Sequence, residues 1–181
     1  MRFLRGVAFA VLFAGFVPAI FAQKDQRQPL SDAQIDAIRE AGIDPNHRIE
    51  LYTKFVQDRA DTIKGLTNRA KSAARAKRLD DELQDITALM DELGSNLDEY
   101  SDRKADMRTA LKKLDEAAPK WSEVLRVLAG EPTFDEARKE AIESSEDLAG
   151  QAHRLLTEQT DYFNAHKDER GQQRAEPKTP Q

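Results

Sequence analysis

The sequence predicts an all-α protein, built as an elongated antiparallel bundle of three long helices with short additional helices. One observation is the composition: charged residues make up 34% of the 181 residues and aromatic residues 7%, which is typical of well-solvated helical proteins. A second observation is that apolar residues recur at helical spacing through most of the chain. A chain of this length can bury the core of one domain.

The strongest periodic pattern runs from Leu79 to Leu128, and we refer to it as the 79–128 seam. It takes alternating steps of four and three residues, and thirteen of its fifteen positions are large apolar or aromatic residues. Lys104 is its single charged member. The positions are Leu79, Leu83, Ile86, Met90, Leu93, Leu97, Tyr100, Lys104, Met107, Leu111, Leu114, Ala118, Trp121, Leu125 and Leu128. This spacing places them on one side of a helix, which another helix must cover.

Residues 1–22 have the composition of a secretory signal peptide. Arg2 and Arg5 form a short positive region, and residues 6–22 carry no charge and are mostly apolar. Ala22 supplies the small residue that signal peptidase requires before the cut. We therefore expect the protein to be exported, to a periplasm or out of the cell.

The alternative for this segment is an uncleaved membrane anchor. Seventeen uncharged residues, 6–22, lie at the lower limit of what spans a bilayer, and Pro18 interrupts them. We favour cleavage, which predicts a mature chain that begins at Gln23. Residues 23–30 then form a polar linker, and the mature chain has no stable membrane span.

A short helix is predicted over 31–41. Ser31 is a suitable N-cap, Gln34 completes a capping box three residues later, and Gly42 ends the helix. The next helix, over 45–77, begins with Asp44 as its cap and proline at its first position. Its apolar face includes Ile49, Tyr52, Val56, Ile63 and Leu66, with Arg59 as a basic member.

A tight turn is predicted near residues 78–80, before a long helix over 80–117. Residues 69–78 hold five basic residues and no acid, whereas residues 79–102 hold nine acids and no base. Because basic residues favour a helix C-terminus and acids an N-terminus, Asp80 is the expected cap. The alternatives are one continuous helix and a turn at residues 94–96, where the composition suits a turn but the seam keeps its phase.

If these two helices form a hairpin around residue 78, facing residues have numbers that add up to 156. Arg59 would then lie within reach of Asp98 and Glu99. Lys104 would extend its stem along the ring of Tyr52 and keep its ammonium group at the edge of the interface. Neither basic side chain would be buried without compensation.

A break is expected at Pro119, because residues before proline avoid helical geometry, and a short helix is predicted over 119–129. Thr133 is the expected cap of the last helix, with Glu136 completing a second capping box. This helix runs to about Asp168, and its apolar residues are sparse.

Residues 169–181 contain two prolines and no apolar run, so they are predicted to form a disordered tail. The predicted organisation is therefore a signal peptide (1–22), a linker (23–30), one helical bundle domain (31–168) and the tail.

The charge and cysteine content exclude several functions. A net charge of −5 makes the chain a poor general binder of nucleic acid, because binding phosphates requires clustered positive charge. The chain has no cysteine, which rules out disulfides, thiolate metal sites and a cysteine nucleophile.

We predict no catalytic, cofactor-binding or metal-binding residue. The three histidines, His47, His153 and His166, lie far apart in the predicted helices and are interpreted as surface residues. Met90 and Met107 could serve as haem ligands together with His153, but both methionines belong to the 79–128 seam, where methionine is ordinary core filler.

The leading hypothesis is an exported, non-catalytic helical binding or scaffolding module, chaperone-like in character, with a protein partner. Small exported helical chaperones of envelope stress share this general profile, but their Leu-Thr-x-x-Gln motif is not met at residues 156–159, where glutamine comes one place early. The alternative is a cofactor- or metal-binding helical bundle, and an enzyme is the least favoured class. A homodimer is also considered, because the last helix has a thin apolar face.

Overall fold

The computed structural model describes residues 28–171, and this part of the chain is all-α, as predicted. The helices are α1 (Asp32–Glu40), α2 (Pro45–Thr67), α3 (Ala73–Asp102), α4 (Arg108–Val127) and α5 (Asp135–Ala165), followed by a 3-10 helix at Lys167–Glu169. The predicted signal peptide, residues 23–27 of the predicted linker and residues 172–181 of the predicted tail lie outside the described residues. Within the described range, no helix is both long enough and apolar enough to cross a bilayer.

Helices α2 to α5 form a four-helix bundle, so the expected arrangement of three long helices is not confirmed. α2 packs against α3 and α4, and α5 packs against the same two helices from the other side. Consecutive helices α2 and α3 are antiparallel, whereas α2 and α4 run parallel, as the contacts of Asn46 with Ala110 and of Gln57 with Trp121 show. The short helix α1 packs only on α2.

The 79–128 seam is buried as expected, but it belongs to two helices. Every position except Lys104 is buried. Lys104 lies in the connection between α3 and α4 and has a positive φ of 53°, so the single charged member of the seam marks the place where the helix ends. The expectation of one helix over 80–117 is therefore wrong. The phase continues across the break because both helices present the same kind of face to the same core.

Amide side chains from two other helices satisfy the backbone of this connection. The Asn46 amide nitrogen donates to the Asp106 carbonyl (2.7 Å), and its oxygen accepts from the N–H of Ala110 (3.0 Å). Gln159 of α5 accepts from the N–H of Met107 (3.0 Å) and donates to the carbonyl of Ala105 (2.9 Å). A non-helical segment can be buried here because its polar groups have partners.

The turn between α2 and α3 lies at residues 68–72, so its placement near 78–80 is wrong. Ser72 is the N-cap of α3, accepting from the N–H of Arg75, and Asp80 lies inside the helix. One of the basic residues does bind a helix C-terminus, although it belongs to the next helix. The Nε of Arg75, in the first turn of α3, donates to the carbonyl of Leu66 at the end of α2 (2.9 Å). Residues 94–96 are helical, as the phase of the seam indicated.

The predicted hairpin exists, but its register is two heptads from the predicted one. Arg59 pairs with Glu82 (2.8 Å) and Asp85 (3.3 Å), so facing residue numbers add up to about 142 rather than 156. Arg59 does not meet Asp98 or Glu99. Lys104 does not lie along Tyr52 either, since its ammonium group sits over the ring of Tyr162 at 5.3 Å.

The capping predictions succeed at α1 and α2 and fail at α5, and the predicted separate short helix over 119–129 is wrong. The Ser31 and Gln34 capping box is present, and Asp44 accepts from the first N–H groups of α2. Helix α4 continues through Pro119, which is exposed, so water can bind the carbonyl that lacks a helical N–H partner. The predicted second capping box is wrong, because α5 begins at Asp135 with Phe134 at the cap position and no side-chain cap.

Residues 169–171, which the sequence assigns to the tail, contact the bundle. The Arg170 Nε donates to the carbonyl of Phe163 (2.7 Å), and the N–H of Gly171 donates to the Asp106 carboxylate (2.9 Å). The Arg108 guanidinium, which also binds that carboxylate, holds the pKa of Asp106 below its usual value. These contacts close the end of the bundle at which α3 ends and α4 begins.

Candidate binding cleft

A cleft of about 440 Å³ lies where the turn between α1 and α2 meets the C-terminal end of α3. This volume falls within the range of small-ligand sites in proteins. The side chains that line it are Ile43, Arg48, Asn96, Glu99, Tyr100 and Arg103. The cleft therefore combines two guanidinium groups, one carboxylate and an apolar residue.

The turn between α1 and α2 forms one wall and positions Ile43 at the surface. Gly42 has a φ of 58°, a conformation that glycine adopts without strain, and Asp44 caps α2 immediately afterwards. Between these two fixed residues, Ile43 projects outward with 64% of its surface exposed. A large exposed apolar side chain beside a cleft is a common feature of binding surfaces.

Arg48 and Arg103 provide the positive charge of the cleft, and both retain unused donors. Within residues 28–171, the Nε groups of both arginines are buried and have no hydrogen-bond partner. Arg48 also makes a long hydrogen bond to the carbonyl of Gly42 (3.4 Å), and Arg103 lies 3.4 Å from the Glu99 carboxylate. Both of these contacts are longer than an ordinary charge-assisted hydrogen bond, so the Nη groups could bind a closer acceptor.

Tyr100 forms the floor between the two arginines. The Arg103 guanidinium lies over its ring, 5.1 Å from the centroid. Burial raises the pKa of Tyr100, and the nearby guanidinium of Arg48 opposes this rise. The hydroxyl is therefore protonated at neutral pH and adds a neutral donor to the cleft.

A second tyrosine stabilises the same region from inside the bundle. Tyr52 of α2 donates a short hydrogen bond to Glu92 of α3. Burial raises the pKa of Tyr52 far above its usual value, and Glu92 raises it further. Asn96, one turn further along α3, lies close to the same hydroxyl and reaches the cleft. The cleft thus rests on a fixed polar layer between α2 and α3.

The charges of the cleft are suited to binding an anion. Two guanidinium groups face one carboxylate, which leaves a net charge of about +1 in the cleft at neutral pH. The lining residues include no serine, cysteine or histidine that could act as a nucleophile or as a base near neutral pH. Glu99 is ion-paired with Arg103 and stands at the rim.

The histidines considered from the sequence do not converge. His47 is exposed at the start of α2, and His166 is exposed just after α5, where its ring stacks on Tyr162. His153 is exposed on α5 and lies 3.3 Å from Asp115. Nowhere between residues 28 and 171 do three or more His, Cys, Asp or Glu side chains form a group that could hold a metal ion.

The two methionines considered as haem ligands are both packed in the core. Met90 and Met107 are at most 1% exposed and lie among aliphatic side chains of the bundle. His153 is exposed, so it does not share their environment. The three residues considered together from the sequence are therefore not brought together into one site.

Two other surface depressions are less distinctive. The groove between α3 and α5 is lined by Asp91, Asp98 and Asp147, together with Arg154 and neutral side chains. Another lies between the C-terminal ends of α2 and α4 and includes Val127, which is 79% exposed. Neither groove contains a buried polar side chain without a partner among the described residues.

Sequence reasoning did not single out Arg48 or Arg103. The two residues lie 55 positions apart and come together only because α2 and α3 are antiparallel. A signal was present at Arg103-Lys104, where two basic residues follow a long acidic segment and interrupt the seam. The charge change was interpretable as a helix C-terminus, which is where Arg103 lies.

The fold and the cleft define the class as a four-helix bundle with a cationic surface cleft. Comparisons of the chain with protein-family models, with curated proteins and with solved structures gave no match.

Proposed function

We propose that the protein is an exported, non-catalytic helical binding module and that a protein partner docks at the cleft between the α1–α2 turn and α3. The observation that carries this proposal is the pair of arginines, Arg48 and Arg103, that line the cleft with only long Nη contacts of 3.4 Å, beside the exposed side chain of Ile43. Unused donors next to exposed apolar surface favour a ligand that is both polar and apolar.

A protein segment matches this combination better than a small polar solute does. Arginine is enriched at protein interfaces, and binding energy concentrates where an apolar anchor is surrounded by polar contacts. Ile43 supplies apolar contact area, and the planar guanidinium groups give directional hydrogen bonds. The rigid bundle holds both features in place, which lowers the entropy lost on binding.

The proposal is tested by site-specific photo-crosslinking in the producing cell. A photoreactive residue at position 43 is expected to give a discrete adduct with a partner protein. The control is the same residue at position Glu136, which is exposed but does not line the cleft, and it is expected to give no adduct. The adduct is expected to disappear in a variant that combines Arg48→Gln with Arg103→Gln. No adduct at position 43, or one that persists in this variant, would contradict docking at the cleft.

Export rests on residues 1–22, and N-terminal mass spectrometry of the exported protein tests it. The expected first residue is Gln23. An intact Met1 in exported material would refute cleavage and favour the anchor.

Chaperone-like activity is tested separately from the binding of one partner. The protein should suppress the aggregation of an unfolding client, with Ile43 contributing through its exposed surface. No suppression at stoichiometric excess would remove the chaperone activity while leaving specific binding of one partner in place. The competing hypothesis of a cofactor- or metal-binding bundle is tested by an absorbance scan and metal analysis of the purified protein.

A further inference from the structure

We infer that the cleft recognises a carboxylate group of its partner, held by the guanidinium groups of Arg48 and Arg103, with an apolar side chain of the partner against Ile43. This inference rests on the proposed function and adds the chemical class of the ligand. It follows from the donors, the net charge and the apolar edge of the cleft.

The hydrogen-bond donors of the cleft are suited to a carboxylate. A guanidinium group carries five N–H donors in a planar fork that matches the two oxygens of a carboxylate. The long contacts of Arg48 with Gly42 and of Arg103 with Glu99, both 3.4 Å, leave room for better acceptors. These two contacts are made by the Nη groups, at the ends of the side chains that line the cleft, so an incoming carboxylate could offer them a closer acceptor.

The charge of the cleft selects among anions. Glu99 stands beside Arg103, so the cleft offers about one net positive charge to a ligand. A carboxylate with one negative charge matches this net charge, and its two oxygens match the planar fork of a guanidinium group. The neutral hydroxyl of Tyr100 adds a donor without adding charge.

The apolar edge restricts the ligand further. Ile43 is 64% exposed, and the ring of Tyr100 is covered on one face by Arg103. A carboxylate that enters the cleft from solvent would bring its neighbouring atoms against Ile43. The free C-terminus of a chain ending in an apolar residue and an internal acidic residue beside an apolar one share this chemistry.

The experiment titrates four probes into the isotope-labelled protein and follows the Nε–H resonances of the arginines by NMR. The first probe is an acetylated tetrapeptide that ends in leucine with a free carboxylate, and the second is the same peptide with a C-terminal amide. The third is an amide-capped peptide with an internal glutamate beside leucine, and the fourth is inorganic phosphate at the same ionic strength. The carboxylate peptides should shift the resonances of Arg48 and Arg103, and the amide peptide should not.

The first and third probes distinguish the source of the carboxylate, which is a free C-terminus in the first and an acidic side chain in the third. Arg48→Gln or Arg103→Gln should weaken binding of the preferred peptide about tenfold or more, as loss of a charge-assisted hydrogen bond requires. The matched control is Arg126→Gln, which removes a surface charge outside the cleft and should leave the affinity unchanged. Glu99→Gln should tighten binding, and it provides a test even if an arginine variant fails to fold.

Three outcomes would overturn the inference: equal binding of the amide and carboxylate peptides, tighter binding of phosphate, or no shift with any probe at millimolar concentration. Equal binding of the two peptides would leave docking at the cleft intact, because the peptide would still occupy it. If the protein with both arginines intact gives no adduct at position 43 but still binds the carboxylate peptides, docking of a protein partner is rejected and the anion site is kept. The two proposals can therefore fail separately.

Discussion

Two amide side chains, Asn46 and Gln159, hold the connection between α3 and α4, and both hydrogen bonds of Gln159 are buried. Its side chain is buried on α5 and binds both Met107 and Ala105, which lie on either side of Asp106. Two buried backbone groups therefore depend on one side chain. Without Gln159, each of these two backbone groups would be buried without a hydrogen-bond partner, which is unfavourable.

Gln159→Leu should lower the free energy of unfolding by about 2–4 kcal/mol, because it leaves a buried N–H and a buried carbonyl without partners. Urea unfolding followed by the fluorescence of Trp121, the only tryptophan of the chain, measures this. Gln84→Leu is the control on the exposed face of α3 and should change the stability by less than about 0.5 kcal/mol. Equal effects of the two variants would show that Gln159 has no special role.

For Arg59, the need for a carboxylate partner was predicted correctly, but the residues that supply it were not. It was expected to need a carboxylate, and it has two, Glu82 and Asp85, both nearly fully buried. Its second Nη group donates to the carbonyl of Pro29, which joins the segment before α1 to the bundle. The error in its partners came from the register of the hairpin.

Arg59→Met should destabilise the protein by about 2–3 kcal/mol, because it leaves buried carboxylates without this cation. Removing one member of a fully buried pair costs about 3–5 kcal/mol, and Arg59 keeps 24% of its side chain exposed. A double-mutant cycle with Glu82→Gln separates the pair from other effects, and a coupling energy above about 1 kcal/mol is expected. Strict additivity of the two substitutions would show that the pair does not contribute.

At the scale of elements, the sequence contained most of what determines the first half of the bundle. The start of α1, the start of α2 and the buried face of α3 follow from local caps and from the 4-3 spacing, and each is observed. The break at Lys104 was hidden because its stabilising partners, Asn46 and Gln159, are distant in sequence. The turn at residues 68–72 was missed because it contains neither glycine nor proline, and a serine cap is a weak signal without them.

The register of α2 against α3 can be tested with spin labels at exposed positions. The structure places Lys54 opposite Ala88, whereas the register first predicted places it opposite Asp102. We expect backbone distances of about 10 Å for the 54–88 pair and about 23 Å for the 54–102 pair, from the spacing of packed helices and a rise of 1.5 Å per residue. Pulsed electron resonance on the two doubly labelled proteins measures both, and the opposite order would restore the earlier register.

Pro119 is a second test at the scale of a helix. It lies inside α4 on the exposed face, where proline removes one helical hydrogen bond. Pro119→Ala should raise the free energy of unfolding by about 1–3 kcal/mol, since proline is about 3 kcal/mol less favourable than alanine in a helix interior. Thermal unfolding followed by circular dichroism measures the gain, with Glu116→Ala as the exposed control. A loss of stability would mean that the bundle requires the altered geometry of α4 at this point.

At the scale of the whole molecule, the candidate site was harder to predict than the fold. Residues of a helical core can be recognised from the regular spacing of apolar residues along one segment, as in the 79–128 seam. A cleft made from Arg48 and Arg103 has no repeat, and each residue alone is an ordinary basic residue on a helical surface. What distinguishes them is that both line one cleft, each with only long Nη contacts, and this arrangement exists only after the helices have packed.

A homodimer was considered for the whole molecule, because the last helix has a thin apolar face in the sequence. In the structure, α5 packs against both α3 and α4 of its own chain, and its buried residues Leu148, Ala152 and Leu155 belong to the same core. Two large hydrophobic side chains are strongly exposed between residues 28 and 171: Ile43 near the start of α2 and Val127 at the end of α4.

Because α2 and α4 are parallel, Ile43 and Val127 lie at opposite ends of the bundle and do not form one continuous patch. A stable dimer interface needs about 800 Å² per subunit, which a single exposed side chain cannot supply. We therefore expect sedimentation equilibrium to give a monomer at micromolar concentrations. If the mass instead rises with concentration, Ile43→Asp and Val127→Asp would locate the interface, and a dimer broken by Ile43→Asp would mean that a second copy of the chain occupies the cleft.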